Sequence, residues 1–140
     1  MKDIELTKEN IIKYFNEFNG FTKYNNMRIE DLSDEQAILI ADTDENSYNP
    51  SQIVHGGLIF GLADTAMGTL AYLTGRKVVT IDSTINYLKP CRGNKVKCIA
   101  TPIKVGKTIG VYKADIYNSE DDLAATVTGT FMFLTKEINE

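Results

Sequence analysis

The sequence predicts an α+β domain in which an antiparallel sheet curls around one buried helix. Three observations lead there. Residues 57–73 form an apolar run without a polar face, which suits a helix wrapped on several sides rather than one lying on a surface. Stretches 77–88, 95–105, 108–118 and 123–134 then read as strands, separated by turn signals at Arg92-Gly93-Asn94, Gly106-Lys107 and the polar residues from Asn118 to Asp122. Short turns between consecutive strands predict an antiparallel meander, and such a sheet must bury its apolar face against another layer, here the helix.

The remaining elements follow in order. Thr7 is placed to cap a first helix in which Ile11, Ile12, Phe15 and Phe18 recur at helical spacing, and Gly20 ends it. Stretches 27–32 and 37–41 read as short strands around a Ser33-Asp34-Glu35 turn. Residues 42–52 form a loop rich in Asp, Asn and Ser with Pro50, the kind of segment on which function often sits. His55-Gly56-Gly57 then leads into the central helix. At 140 residues the chain is long enough for one domain with its own core. Residues 1–25 are expected to be a helical extension and 26–140 the main domain.

Composition narrows the chemistry. A hydrophobic fraction of 43% and a charged fraction of 24% are those of a globular protein. The N-terminal residues lack the apolar core of a secretory leader, and the 58–73 run is too short and interrupted to span a bilayer, so a cytoplasmic location with no membrane partner is expected. A net charge of -4 disfavours nucleic acid as a partner. Cys91 and Cys98 are expected to be free thiols. With a single histidine and no CxxC spacing, neither a zinc site nor a Cys–His catalytic pair is expected. Carboxylates, hydroxyls and backbone dipoles are what is left.

One carboxylate stands out. From Asn46 to Gly75 the only Asp, Glu, Lys or Arg is Asp64, set among Leu62, Ala63, Ala66 and Met67. A charge in such surroundings needs a partner or a task. Burial there would raise its proton affinity and suit it to acid–base work, whereas a purely structural acid would be held by the hydroxyl of Thr65 or Thr80. Upstream, a helix start at Gly56-Gly57 offers backbone N–H groups without partners and the positive end of a dipole, and the glycines allow close approach. His55 is expected to serve the turn through a backbone hydrogen bond, with general-base action the alternative. The eight positions from 56 to 64 span about 12 Å along a helix, more than one reacting carbonyl covers. Both groups can act on one bond only if they come from different subunits of a two-fold dimer. A second feature is a stretch from Ser83 to Ala114 without an acid, in which Lys89, Arg92, Lys95, Lys97, Lys104, Lys107 and Lys113 all fall. It reads either as solvated outer faces of strands or as a cradle for a phosphorylated ligand.

Asn49, the His55-Gly56-Gly57 turn, Leu62-Ala63-Asp64-Thr65-Ala66 and Gly68 together resemble the hotdog-fold acyl-CoA thioesterases of the phenylacetate-degradation (PaaI-like) type. Val79-Thr80-Ile81-Asp82 through Tyr87-Leu88-Lys89-Pro90, and Gly106-Lys107-Thr108, extend the resemblance over residues 26–134. It implies a hotdog fold and hydrolysis of an acyl-CoA thioester. In that reading Asp64 is general base or nucleophile, the Gly56 N–H polarises the thioester oxygen with help from Asn49, and Thr80 orients the attacking water. His55 and Gly57 belong to the turn that receives the substrate, while Tyr87, Lys89, Lys104, Gly106, Lys107 and Thr108 contact coenzyme A. No cofactor is implied, since coenzyme A is part of the substrate, and the assembly is expected to be a homodimer whose dimers pair again. The competing readings are a non-catalytic acyl-CoA sensor or carrier on the same fold, a hydratase, and a structural dimer without ligand. Met67, Tyr72, Phe60 and Tyr48 are candidates for the acyl-pocket wall.

Overall fold

Helix α3 (Gly56–Tyr72) is apolar on nearly every side because a sheet wraps it. In the computed structural model, which describes residues 5–134, six strands surround this helix: β1 (Met27–Leu32), β2 (Ala37–Asp42), β3 (Val78–Tyr87), β4 (Lys95–Val105), β5 (Ile109–Tyr117) and β6 (Leu123–Phe133). All pairings are antiparallel, and α3 packs against each strand from β2 to β6. Leu62, Ala63, Ala66, Met67 and Ala71 of α3 are fully buried against Leu39, Cys98, Ala114, Ile116, Val127 and Phe131 of the sheet. The small residues let helix and sheet backbones approach, and truncating a large one such as Leu62 costs roughly 2–5 kcal/mol.

The strand order is β1-β2-β4-β5-β6-β3, which corrects the expected meander of the last four strands. Only β4, β5 and β6 follow one another; β3 pairs with β6 at the far edge. The physical reason is that both edges of β4 are already taken, by β2 and by β5, while α3 crosses the sheet and delivers the chain to the open side of β6. Among the described residues no strand pairs with the other side of β3. Ile81, Tyr87 and Leu88 are about half exposed along it.

Two helices precede the sheet. Thr7 caps α1 (Lys8–Glu17), its side-chain oxygen accepting from the Asn10 N–H at 3.2 Å. The helix stops at Phe18, two residues before Gly20, because the Phe18 backbone turns extended. Gly20 instead begins a short turn of helix, α2 (Phe21–Tyr24), which the sequence did not disclose. Leu6 and Ile11 anchor this segment in the core.

Candidate functional site

The start of α3 is built around its glycines. His55 is the N-cap, and its Nδ1 accepts a hydrogen bond from the Gly57 N–H at 2.8 Å, so the imidazole is occupied in capping. A β-carbon on Gly57 would come within 2.9 Å of that Nδ1. The Gly56 N–H has no intramolecular partner among the described residues. Tyr87 lies over the same residue: its hydroxyl donates to the Gly56 carbonyl at 2.8 Å, and a β-carbon at 56 would meet the phenol oxygen at 3.1 Å. Close contact with the tyrosine therefore keeps this position bare, and the unpaired N–H points from the positive end of the helix.

Asn49 stands beside it. Its Oδ1 accepts from the Ser51 N–H at 2.9 Å and the Ile53 N–H at 3.3 Å, and two donors on one atom fix which end of the amide is oxygen. The side-chain NH2 is left as a donor without an intramolecular partner among the described residues. Asn49, Gly56, Tyr87, Lys89 and Cys91 line one cavity of about 390 Å³. Burial pushes the Cys91 thiol up to about 11, so the one sulfur in this cavity stays protonated near neutral pH and is a poor nucleophile.

Asp64 lies two turns further on and opens elsewhere. Thr80 donates to its Oδ1 at 2.7 Å, and among the described residues nothing bonds to Oδ2. Thr65 turns away, its hydroxyl bonded to the Gly61 carbonyl at 2.7 Å. The ladder between β3 and β6 slips immediately after Thr80, with Ile81 as the extra residue; such bulges re-aim side chains next to functional sites. Asp64 is half-buried rather than enclosed. It belongs to the one stripe of α3 that the sheet does not cover, together with Gly61, Thr65, Gly68 and Tyr72, residues that recur at helical spacing. Asp64, Thr80, Gly68 and Tyr72 line a second cavity of about 380 Å³ whose opposite wall is α1, through Ile11, Tyr14, Phe15 and Phe18. Burial pushes the Tyr72 phenol up, so it too is neutral.

A single chain thus sorts the sequence-derived residues into two groups. Asn49, Gly56, Tyr87 and Lys89 meet at one end of α3, while Asp64 and Thr80 meet in a different cavity. The lysines divide the same way. Lys89, ion-paired with Asp122 at 3.5 Å, lies where β3 ends. Gly106, Lys107 and Thr108 turn between β4 and β5 at the opposite end, where the Gly106 N–H donates to Ile109 and the Thr108 carbonyl accepts from Phe133. Arg76 secures that turn by donating to the Lys107 carbonyl while its guanidinium stacks over Phe133 at 4.1 Å. Lys104 is exposed on the adjoining end of β4. Lys113 is ion-paired with Asp115 at 3.4 Å, so one chain gathers no single cradle from this run.

Of the residues weighed as an acyl wall, only Tyr72 lines the Asp64 cavity. Met67 is fully buried, and the Tyr48 hydroxyl is engaged with Thr43 and the Gly93 carbonyl. The α1 aromatics were missed. Their helical spacing was visible, but nothing local says that the apolar face of α1 turns toward Asp64. Among the described residues no helix is long and apolar enough to cross a membrane, and no group of three or more His, Cys, Asp or Glu is placed to hold a metal ion.

Known proteins share this architecture. A crystal structure of a thioesterase from Haemophilus influenzae superposes with a TM-score of 0.85 at 27% identity, covering 96% of this chain and 95% of that one. The PaaI protein of the Escherichia coli phenylacetic acid degradation operon superposes with a TM-score of 0.84 at 24% identity, over 90% of this chain and 92% of that one, which supports the fold. In sequence, a Haemophilus influenzae protein named only as a candidate esterase is 37% identical over 83 residues, 57% of this chain and 60% of that relative's length. Escherichia coli YigI, named a medium/long-chain acyl-CoA thioesterase, is 27% identical over 96 residues, 57% of this chain and 62% of its own. The family model described as the thioesterase superfamily matches residues 51–125, from the loop before the Gly56 turn to the start of the last strand. With that match covering more than half of the sequence and the hotdog arrangement of sheet and helix in place, the chain belongs to the thioesterase superfamily.

Proposed function

We propose that the protein hydrolyses acyl-CoA thioesters at a site completed by two copies of the chain, with Asp64 as the carboxylate that delivers water and the Gly56 N–H as the oxyanion donor. The observation that carries this reading is the Thr80–Asp64 hydrogen bond, which holds one oxygen of a carboxylate that lines a cavity and leaves the other without a partner among the described residues. In the reaction Asp64 Oδ2 takes a proton from water as its oxygen attacks the thioester carbon. The negative charge that builds on the carbonyl oxygen is met by the Gly56 N–H and the Asn49 side-chain NH2 at the positive end of α3. The C–S bond then breaks, and the departing thiolate recovers the proton from Asp64. If Asp64 attacks the carbon directly, an acyl-aspartate forms and water must cleave it.

Two chains are invoked because the acid and the amides line separate cavities. Strand β3 is an open edge ten residues long without proline, the kind of edge that a second copy extends. Antiparallel pairing that sets Thr80 of one copy opposite Tyr87 of the other centres midway between 80 and 87, at Ser83–Thr84. It brings the acid of one chain to the helix start of the other. The same pairing carries Lys104 and Lys107 of one copy toward Lys89 of the other, forming a cationic rim for the phosphates of coenzyme A. The likeness to YigI supports the choice of acyl-CoA.

Thiol release from acyl-CoAs with C2 to C16 and aromatic acyl groups, compared between the wild type and Asp64→Asn, tests the reading. Turnover that collapses in the variant while the dimer persists supports it. Tight acyl-CoA binding by both proteins with no turnover on any substrate points to a carrier or sensor instead.

A further inference from the structure

Gly68 sits in the interior of α3, one turn beyond Asp64 and lining the same cavity. A glycine there destabilises a helix relative to alanine, and the structure supplies no local need for it. Its backbone φ is not positive, and an added β-carbon would touch only Phe131, at an ordinary 3.7 Å. At Gly61, by contrast, the same atom would come within 2.8 Å of the Phe21 ring. What a methyl group at position 68 would remove is cavity space. Across that space stand Tyr14, Phe15 and Phe18, with the Tyr14 and Phe18 rings stacked at 5.7 Å. The walls are more apolar than their composition suggests. Thr65 and Thr69 bond their hydroxyls back to helix carbonyls, and the Thr80 hydroxyl is held by Asp64.

We infer that this cavity is the acyl pocket, that α1 and Gly68 together set the size of the acyl group, and that the substrates are thioesters of apolar acyl groups of medium size. The inference rests on the thioesterase reading above and deepens it. A volume of about 380 Å³ corresponds to roughly a dozen waters at ~30 Å³ each, far more than an acetyl group fills. Each methylene that the pocket buries is worth about fourfold in kcat/KM, so selectivity rises with chain length until the α1 aromatics stop it. Gly68 and Phe18 are thereby specificity-determining positions outside the reacting groups.

The test compares wild type, Gly68→Ala and Phe18→Ala on a ladder of acyl-CoAs from butyryl to palmitoyl. It is paired with binding of the matching S-alkyl-CoA thioethers, which cannot be hydrolysed. Gly68→Ala is expected to raise the melting temperature and to lower the ratio of decanoyl to butyryl kcat/KM about tenfold. Phe18→Ala is expected to shift the preferred length upward. Rates that change evenly for all lengths, or thioether affinities that do not depend on length in the wild type, overturn the inference. If no thioester is hydrolysed yet thioether affinity climbs with length and the two variants shift it in opposite directions, the hydrolase reading falls and the pocket stands.

Discussion

The start of α3 at Gly56 and its middle at Asp64 solve opposite problems. At Gly56 the groups proposed to act are a backbone N–H and an amide, held by a histidine cap, an asparagine turn and a tyrosine laid over the glycine. Everything there lies close in sequence except Tyr87. At Asp64 the group proposed to act is a side chain, held by Thr80 across a bulged edge strand and faced by aromatics some fifty positions earlier in the chain. Donors for an oxyanion can be built from local backbone geometry. A carboxylate with room for water and an acyl chain needs surfaces from several elements.

The largest effect expected from breaking this pair is at the acid. Asp64→Asn should lower kcat by about 10³-fold or more, the upper range for a positioned general base, with the melting temperature nearly unchanged. If a covalent acyl-aspartate forms instead and water opens it at the aspartyl carbonyl, one turnover in 18O-water leaves the label in Asp64, which mass spectrometry of the peptide detects, and the acid released in that turnover is unlabelled; general-base delivery labels the acid from the first turnover and never labels Asp64. Gly56→Val should follow at 10² to 10³-fold, since the branched side chain displaces Tyr87 and misdirects the oxyanion donor at a cost of about 3–4 kcal/mol. Mixing these two inactive proteins sharpens the comparison further. If each site takes its acid from one chain and its amide from the other, a refolded equal mixture regains about a quarter of wild-type activity, because half of the dimers are mixed and each mixed dimer has one intact site. No recovery would place both groups on one chain.

A smaller effect is expected from Tyr87→Phe, which leaves the Gly56 carbonyl without its 2.8 Å partner. A loss of several-fold in kcat/KM is consistent with a net hydrogen bond of about 1 kcal/mol. The mildest test concerns stability. Burial holds the Cys91 proton up to about 11 and pushes Cys98 up as well, against 9.0 for an ordinary cysteine. Below pH 9 both states keep these protons and stability is unaffected. Above it the unfolded chain releases them first, so stability falls as the pH rises through about 11. Thermal melts across that range should show the fall, and Cys98→Ala should flatten it.

The Gly56 end was largely legible in advance. Asn49, His55 and the two glycines sit close along the chain, and each serves the same turn. The Asp64 end was legible only at its centre. A lone acid in an apolar run marks itself, but its half-exposed stripe, the choice of Thr80 over Thr65 and the α1 wall depend on how distant elements pack. Strand boundaries were read nearly to the residue because alternation and turns are local, whereas β3's place beside β6 was misread because adjacency is a property of the whole sheet.

By itself, then, the sequence determined the elements, the apolar central helix and the isolated acid, since propensity, periodicity and turn chemistry act over a few residues. Only the tertiary structure decided which edge β3 occupies, that acid and amides open into separate cavities, and that α1 closes one of them. Those outcomes follow from the competition of all apolar faces for one core, which no short stretch of sequence records.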